Sequence, residues 1–235
     1  MRRRESRTRQ PAELSANVAG SGAAEMEADD VTALPEEPDD REPAADARDA
    51  AAVTHWRDIV MRDPGNVNAR RRLARIHELR GEMTMAIEHL EAARNAQPDD
   101  VDLIVELAHA LINIKRLDHA ERELRRALKT QPDNAAVHLA LGIISFRRGL
   151  YAQADVELKR TLELDASNGT AYFYRGEALN QLSRLDEALE MLQRATQLQP
   201  TNGRAFYVMG ILYDRKRRPD EAAAMYRKAR EVGTT

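Results

Sequence analysis

The chain has 235 residues, a formal net charge of −3 and no cysteine. The charge does not favour a polyanion-binding protein, and the absence of cysteine excludes disulfide bonds, thiolate metal sites and a cysteine nucleophile. No apolar run approaches the roughly 18–20 residues of a membrane span, and no apolar stretch follows the basic first residues as in a signal peptide. We therefore expect a soluble, cytoplasmic protein.

Residues 1–46 differ in composition from the rest of the chain. They contain no aromatic residue and four of the nine prolines, and the net charge is −6 over residues 1–50 against +3 over the remainder. So little apolar surface cannot offset chain entropy, which predicts a disordered charged tail. The alternative is a recognition arm whose arginines contact an acidic partner, namely Arg2, Arg3, Arg4, Arg7 and Arg9.

Residues 47–66 are predicted to form an N-terminal capping helix. Ala52, Trp56 and Ile59 precede Pro64 at the offsets that second helices have in the repeated segment that follows. We expect this helix to pack the only tryptophan onto the first repeat. A sixth, degenerate repeat is the alternative, but the proline-rich, acidic stretch 33–46 cannot supply its first helix.

From residue 64 onward the sequence repeats with a period of 34 residues. Of five positions that lie 34 residues apart, four hold proline and one holds alanine: Pro64, Pro98, Pro132, Ala166 and Pro200. A second series holds alanine and then glycine: Ala74, Ala108, Gly142, Gly176 and Gly210. A third series is alanine throughout: Ala86, Ala120, Ala154, Ala188 and Ala222. This period is typical of a solenoid of helix–turn–helix units.

The segment 169–202 shows why these residues recur. Its apolar residues fall at i, i+4 and i+7 on two successive helices, first Tyr172, Gly176 and Leu179, then Ala188, Leu192 and Ala195. Gly176 and Ala188 are small because the two helix axes are predicted to approach closely there. Ser183 and Arg184 are predicted to make the turn, and Pro200 ends the second helix.

The repeats resemble those of the tetratricopeptide repeat (TPR) family, whose pattern is W-x₂-L-G-x₂-Y…A-x₃-F…A…P. The last unit carries this pattern as Phe206, Met209, Gly210, Tyr213, Ala222, Tyr226 and Ala229. Arg70 and His138 depart from the aromatic position without changing the period. The resemblance covers five units, 67–100, 101–134, 135–168, 169–202 and 203–235. It implies an all-α fold, a right-handed superhelical α-solenoid whose first helices line a concave groove.

No residue pattern indicates catalysis or a bound cofactor. The sequence lacks the P-loop, dinucleotide-binding, zinc-protease and nucleophile-elbow motifs. The six histidines occupy unlike positions in the repeat frame, and carboxylates alternate with Arg and Lys as on a solvated helix face. We therefore predict a non-enzymatic protein with no cofactor and no metal site.

The resemblance assigns groove-facing roles to the second, fifth, sixth, ninth, twelfth and thirteenth positions of each unit. These positions predict an apolar, aromatic middle flanked by charge, consisting of Arg71, Arg75, Val105, His109, Leu139, Ile143, Phe146, Phe173, Tyr174, Glu177, Asn180, Tyr207 and Ile211. Exposed apolar residues in a groove mark a partner site. We expect a peptide or helix with apolar anchors to bind there, and Phe173 is the leading candidate for a contact residue. The alternative is that several of these side chains pack against the adjacent first helix.

Two specialised groove types of the family are absent from the sequence. The carboxylate clamp that grips chaperone tails needs Lys and Asn in unit one, whereas this chain has Arg71 and Arg75, followed by Glu106 in unit two. The asparagine ladder of glycosyltransferase-type solenoids is also missing. The expected function is a protein-interaction scaffold, in the assembly or regulation of a multiprotein complex.

Two further interactions are considered. Nucleic acid, RNA above all, is the rival ligand, through arginine clusters at the two ends of the solenoid, 70–75 and 215–218. The near-neutral charge of the repeats does not favour it. Self-association is expected through the last unit, since no further helix covers it in the sequence.

Overall fold

The computed structural model describes residues 44–233, and this part of the chain forms eleven α-helices and no strand. The helices are α1 (Ala44–Arg62), α2 (Val67–Leu79), α3 (Met83–Ala96), α4 (Val101–Asn113), α5 (Leu117–Thr130), α6 (Ala135–Arg147), α7 (Tyr151–Leu164), α8 (Gly169–Gln181), α9 (Leu185–Leu198), α10 (Gly203–Arg215) and α11 (Pro219–Gly233). The charged tail predicted over residues 1–46 lies outside the described residues, except for its last three, which begin α1.

The all-α solenoid fold is confirmed. Helices α2 to α11 alternate as the first and second helices of successive units, and each packs against the next one along the chain. First helices of successive units also contact each other, in the pairs α4 and α6, α6 and α8, and α8 and α10. Among the described residues no comparable contact joins second helices. The first helices therefore lie on the inner side of the curve, and their exposed faces form the concave groove.

Each first helix begins with a side-chain cap that recurs every 34 residues. The caps are Asn66, Asp100, Asn134, Asn168 and Asn202. In each unit the side-chain oxygen accepts a hydrogen bond from a backbone N–H of the first turn, for example from Ala171 to Asn168 at 3.0 Å. These bonds satisfy donors that a helix start leaves unpaired. This series of capping residues is a fourth periodic signal, and it fixes where every first helix starts.

The turn inside each unit places one residue in the left-handed region of backbone space. These residues are Gly81, Lys115, Gly149, Ser183 and Arg217, with φ between 57° and 77°. Glycine adopts this conformation without steric cost, whereas Lys115, Ser183 and Arg217 adopt it at a steric cost. The predicted turn at Ser183 is present, and its geometry recurs in all five units.

The predicted close approach of the two helices in a unit also occurs. A Cβ atom added to Gly176 would lie 2.7 Å from Cγ of Leu192, and one added to Gly142 would lie 2.7 Å from Cγ of Leu158. Glycine at these positions lets the branched leucine of the second helix pack directly against the backbone of the first.

Helix α1 packs against α2 and buries Val53. It begins at Ala44, three residues before the start predicted for the capping helix, because the alanine-rich stretch has high helix propensity. Trp56 on this helix is half-buried. No helix among residues 44–233 is long and apolar enough to span a membrane.

Candidate partner-binding groove

Several of the apolar groove residues predicted from the sequence are buried between first helices. Val105, Ile143 and Phe173 are all buried, and Leu139 and Ile211 are half-buried. They occupy the predicted positions of the first helices, and the three buried ones belong to apolar clusters that extend over more than one unit. Such residues hold the units together, and a partner reaches only what the neighbouring helix leaves open.

Phe173 is the clearest example, with 6 % of its surface exposed. Its ring belongs to the apolar cluster that joins units four and five, together with Val208 and Met209 of α10. The guanidinium carbon of Arg204 lies 5.2 Å from the ring centroid, a cation–π contact that closes the ring off from the groove. Phe173 is therefore covered by the next unit.

Arg204 covers a second predicted groove residue, the buried Glu177. One guanidinium nitrogen of Arg204 donates to both carboxylate oxygens of Glu177, at 2.9 and 3.0 Å. Burial raises the pKa of Glu177, although the charge of Arg204 and its hydrogen bond act in the opposite direction. Because Arg204 is exposed, this arginine is the surface that the groove presents at units four and five.

A half-buried aromatic stripe crosses the middle of the groove. The ring centroids of Phe146 and Tyr174 are 5.5 Å apart, and those of Tyr174 and Phe173 are 5.3 Å apart, each pair edge to face. Phe146 also contacts Tyr151 of α7 in this way. The partly exposed members, Phe146 and Tyr174, are the aromatic surface open to a ligand in units three and four.

A cavity of about 830 Å³ lies in the groove between units one and two. Three predicted groove residues line it, Arg71, Arg75 and His109. The remaining lining residues are Asn68, Arg72, Glu78, Leu79, Met83, Leu90, Glu106 and Asn113. The structure thus brings the charged N-terminal groove residues together in one cavity, away from the aromatic stripe.

Much of the charge in this cavity is paired. The Nε of Arg71 donates to Glu106 at 3.0 Å, and Arg75 forms an ion pair with Glu78 at 3.3 Å. Arg72 is exposed and has no side-chain partner within the described part of the chain. His109 is exposed to the cavity, yet the surrounding protein displaces water from it, and this desolvation lowers its pKa. At neutral pH, Arg72 is the cation that this cavity offers to a ligand.

Leu79 is the exposed apolar residue of this cavity, and it is missing from the residues predicted from the sequence. It ends α2, and 74 % of its surface is exposed. The equivalent positions of the other units are polar, namely Asn113, Arg147, Gln181 and Arg215. The sequence signal that could have identified Leu79 is therefore this leucine in an otherwise polar column.

The arginine clusters proposed for nucleic acid are largely engaged within the chain. Arg70 donates to the carbonyl oxygen of Pro64 at 2.7 Å, and Arg215 to that of Asn180 at 3.1 Å. Lys216 pairs with Asp186, and Arg218 pairs with Glu221. Binding of a phosphate backbone to these clusters would compete with existing contacts, so the structure adds no support for the nucleic-acid alternative.

The far end of the groove differs from its middle. Tyr207 is 54 % exposed, and it lines an open, mostly apolar depression of about 660 Å³ between α10 and α11. Tyr226 lines the same depression, and its hydroxyl donates to Asp214 at 2.7 Å, which raises the pKa of Tyr226 to about 12. Within residues 44–233, no three His, Asp or Glu side chains come together as a metal site would require.

Comparisons with known proteins agree with this architecture. Two family models, both described as tetratricopeptide repeat, match the chain, one over residues 79–144 and the other over residues 45–101 and 157–203. No curated protein matches the sequence.

Among solved structures, the chain is similar to several of the protein MamA. MamA AMB-1 is 28 % identical with a TM-score of 0.58, over 70 % of this chain and 98 % of that one. MamA MSR-1 is 26 % identical with a TM-score of 0.55, over 76 % and 97 %. MamA from Desulfovibrio magneticus RS-1 is 20 % identical with a TM-score of 0.59, over 78 % and 96 %, a likeness of fold. The matched repeats and their stacking show that the chain belongs to the tetratricopeptide repeat family.

Proposed function

We propose that this protein is a non-enzymatic scaffold that binds a peptide or helix of a partner protein in its concave groove, and so takes part in the assembly or regulation of a multiprotein complex. Membership of the tetratricopeptide repeat family and the similarity to MamA support a protein-interaction scaffold in general. The groove-binding mode is the finer part of the proposal, and it rests on the surface of the first helices.

The cavity between α2 and α4 is the observation that carries the groove-binding mode. Its volume of about 830 Å³ falls in the range of roughly 300–1,000 Å³ that is usual for ligand sites. The exposed Leu79 and the exposed cation Arg72 both line the cavity, about two turns apart on α2, which suits a segment that carries an apolar anchor and an acidic group at a similar separation. The half-buried pair Phe146 and Tyr174 continues the surface toward the middle of the groove, where further apolar residues of the segment would pack.

Selection of peptides from a random display library on the full chain tests this proposal. A selected peptide should bind Leu79→Ala and Arg72→Glu variants at least about tenfold more weakly, as truncation of a central interface residue does. Arg72→Glu should mainly slow association, because it reverses the steering charge.

The matched control is Val156→Ala, which truncates a side chain that is 67 % exposed on the second helix α7. This control should bind as the unchanged protein does. Selected peptides that bind the groove variants and the control equally well would refute binding in the groove.

Self-association through unit five is a second candidate. The exposed ring of Tyr207 and the apolar depression between α10 and α11 favour a second copy of the chain there. Light scattering at high concentration should then give a mass above that of the monomer, and Tyr207→Arg should reduce it. A strictly monomeric mass at every concentration would rule this candidate out.

A further inference from the structure

Helix α1 occupies the place of a second helix, and no first helix precedes it in the described part of the chain. It packs against α2 as α3 packs against α4 and α9 against α10. Its residues Ala52, Trp56 and Ile59 lie in the register by which each second helix packs against the first helix of its own unit. We call these three residues the α1 face.

The α1 face is more open than the same register elsewhere in the solenoid. In unit four, Ala188, Leu192 and Ala195 are each 0 % exposed, and the equivalent residues of units one to three are buried as well. The three residues of the α1 face are only half-buried. Val53, the residue after Ala52, is 6 % exposed, since α1 packs against α2. The open side of α1 is therefore the side on which the other units hold their own first helix.

The chain's own sequence does not provide this helix one repeat before α2. Residues 33–45 would have to form it, but Pro38 and Pro43 would lie in its interior, where proline breaks a helix. Asp40 would stand at the position where the other units hold alanine or glycine. The sequence therefore favours a helix from another protein on the α1 face.

We propose that the α1 face binds an amphipathic helix of a partner protein, which takes the place of the first helix and extends the solenoid by one unit at its N-terminal end. Burial of the open side of the Trp56 ring and of Ile59 drives this binding. The surface is separate from the groove, so it gives the scaffold a second interaction site.

Unit five shows what the partner helix needs opposite Trp56. Tyr226 holds the position of Trp56 in that unit, and its ring lies so close to Gly210 that an added Cβ atom would overlap it. An aromatic ring in this register therefore requires glycine on the first helix. Apolar residues four positions before or three positions after the glycine form the rest of the stripe in the repeats.

A charged contact adds to this chemistry. His55 is exposed beside Trp56, and it stands at the position that Glu157 has in unit three. There Glu157 forms a hydrogen bond of 2.8 Å with Nδ1 of His138, which lies four residues before Gly142 on the first helix. Because α1 carries the histidine, a glutamate four residues before the glycine of the partner helix would make the same pair.

A synthetic copy of α10, residues 202–216 with Phe206→Glu, is the probe, because it carries Gly210 and no tryptophan. A helix this short is marginal in water, so a lactam bridge between Ile211→Glu and Arg215→Lys, on the groove side, holds it helical. Added to the full chain, the probe should shift the emission of Trp56 to shorter wavelength and saturate with a dissociation constant of about 1 mM or below.

Two changes to the probe test its predicted chemistry. A probe that also carries Gly210→Val should bind at least about fivefold more weakly, because the valine would take the space of the indole ring. A probe with Phe206→Gln in place of Phe206→Glu should bind about two- to threefold more weakly, as expected for loss of an exposed ion pair.

Variants of the full chain test the surface. Ala52→Arg should weaken binding of the probe at least about fivefold, whereas the matched control Ala51→Arg, on an exposed residue outside the α1 face, should not change it. Leu79→Ala should also bind the probe normally, so this test and the test of the groove fail independently. If Ala52→Arg loses helical circular dichroism, Ile59→Gln takes its place.

Four results would overturn the proposal. The first is a full chain with no saturable emission shift, and the second is equal binding of the probes with glycine and valine at position 210. The third is equal binding by Ala52→Arg and Ala51→Arg. The fourth is an emission of Trp56 that changes with the concentration of the chain alone, because a second copy would then cover the α1 face.

Discussion

The sequence predicts Phe173 as a contact for a partner, whereas in the structure it is a contact between units four and five. The sequence places it at a groove-facing position of a first helix, and the structure covers it with α10 and the guanidinium of Arg204. The periodicity within one unit identifies which side chains point away from their own pair of helices. It does not show how much of the surface of each side chain the next unit covers. That coverage depends on the side chains one repeat away, such as Arg204.

The burial of Phe173 gives a prediction of stability. Phe173→Ala should lower the free energy of unfolding by about 3–5 kcal/mol, because it leaves a cavity between units four and five. Tyr207→Ala, at the equivalent position of unit five, should change it by less than about 1 kcal/mol because its ring is exposed. Urea unfolding followed by circular dichroism measures both. Equal, small losses for the two variants would show that Phe173 is not a packing residue.

The capping residues can be tested at the same scale. Asn168 accepts a hydrogen bond from the backbone N–H of Ala171, so Asn168→Ala should destabilise the protein by about 1 kcal/mol. Asn168→Asp should keep most of the stability, since aspartate fills the same place at Asp100 in unit two. If Asn168→Asp lost as much stability as Asn168→Ala, capping would not be the reason for this series.

At the scale of the element, the sequence was most informative about the helices and least about their turns. The 34-residue spacing of Gly142, Gly176 and Gly210 predicts where helix pairs approach, and the structure has that approach. The turns share no residue type at the left-handed position, where glycine, lysine, serine and arginine all occur. Tertiary packing fixes this backbone conformation in every unit, so a residue-type signal for it is weak in the sequence.

The turn before α11 offers a stabilising substitution. Arg217 has a φ of 57°, a conformation that costs a side chain with a Cβ about 1–2 kcal/mol. Arg217→Gly should therefore raise the free energy of unfolding by about 0.5–1 kcal/mol, after the greater entropy of glycine in the unfolded chain is set against this gain. Thermal unfolding of Arg217→Gly beside Gly149→Ala checks the sign, because the second change should have the opposite effect.

At the scale of the whole molecule, the repeat period predicted the fold, while the distribution of open and closed groove surface came from the structure. An apolar middle was predicted as the partner site, and much of it is shared between neighbouring first helices. A cavity of the groove lies instead at units one and two, where Arg71 and Arg75 were predicted but Leu79 was not. Pairing between Arg71 and Glu106 could not be read from one unit, because these residues are 35 positions apart.

In the proposed function, a partner segment binds on the first helices at units one and two. Photo-crosslinking measures this directly, with benzoylphenylalanine in place of Asn113, an exposed residue that lines the cavity, and, in a matched protein, in place of Val156 on α7. A peptide selected on the full chain should crosslink from position 113 and be displaced by an excess of the same unlabelled peptide, with no crosslink from position 156. Equal crosslinking from both positions, or crosslinking from position 156 alone, would show that the segment does not bind in the groove at units one and two.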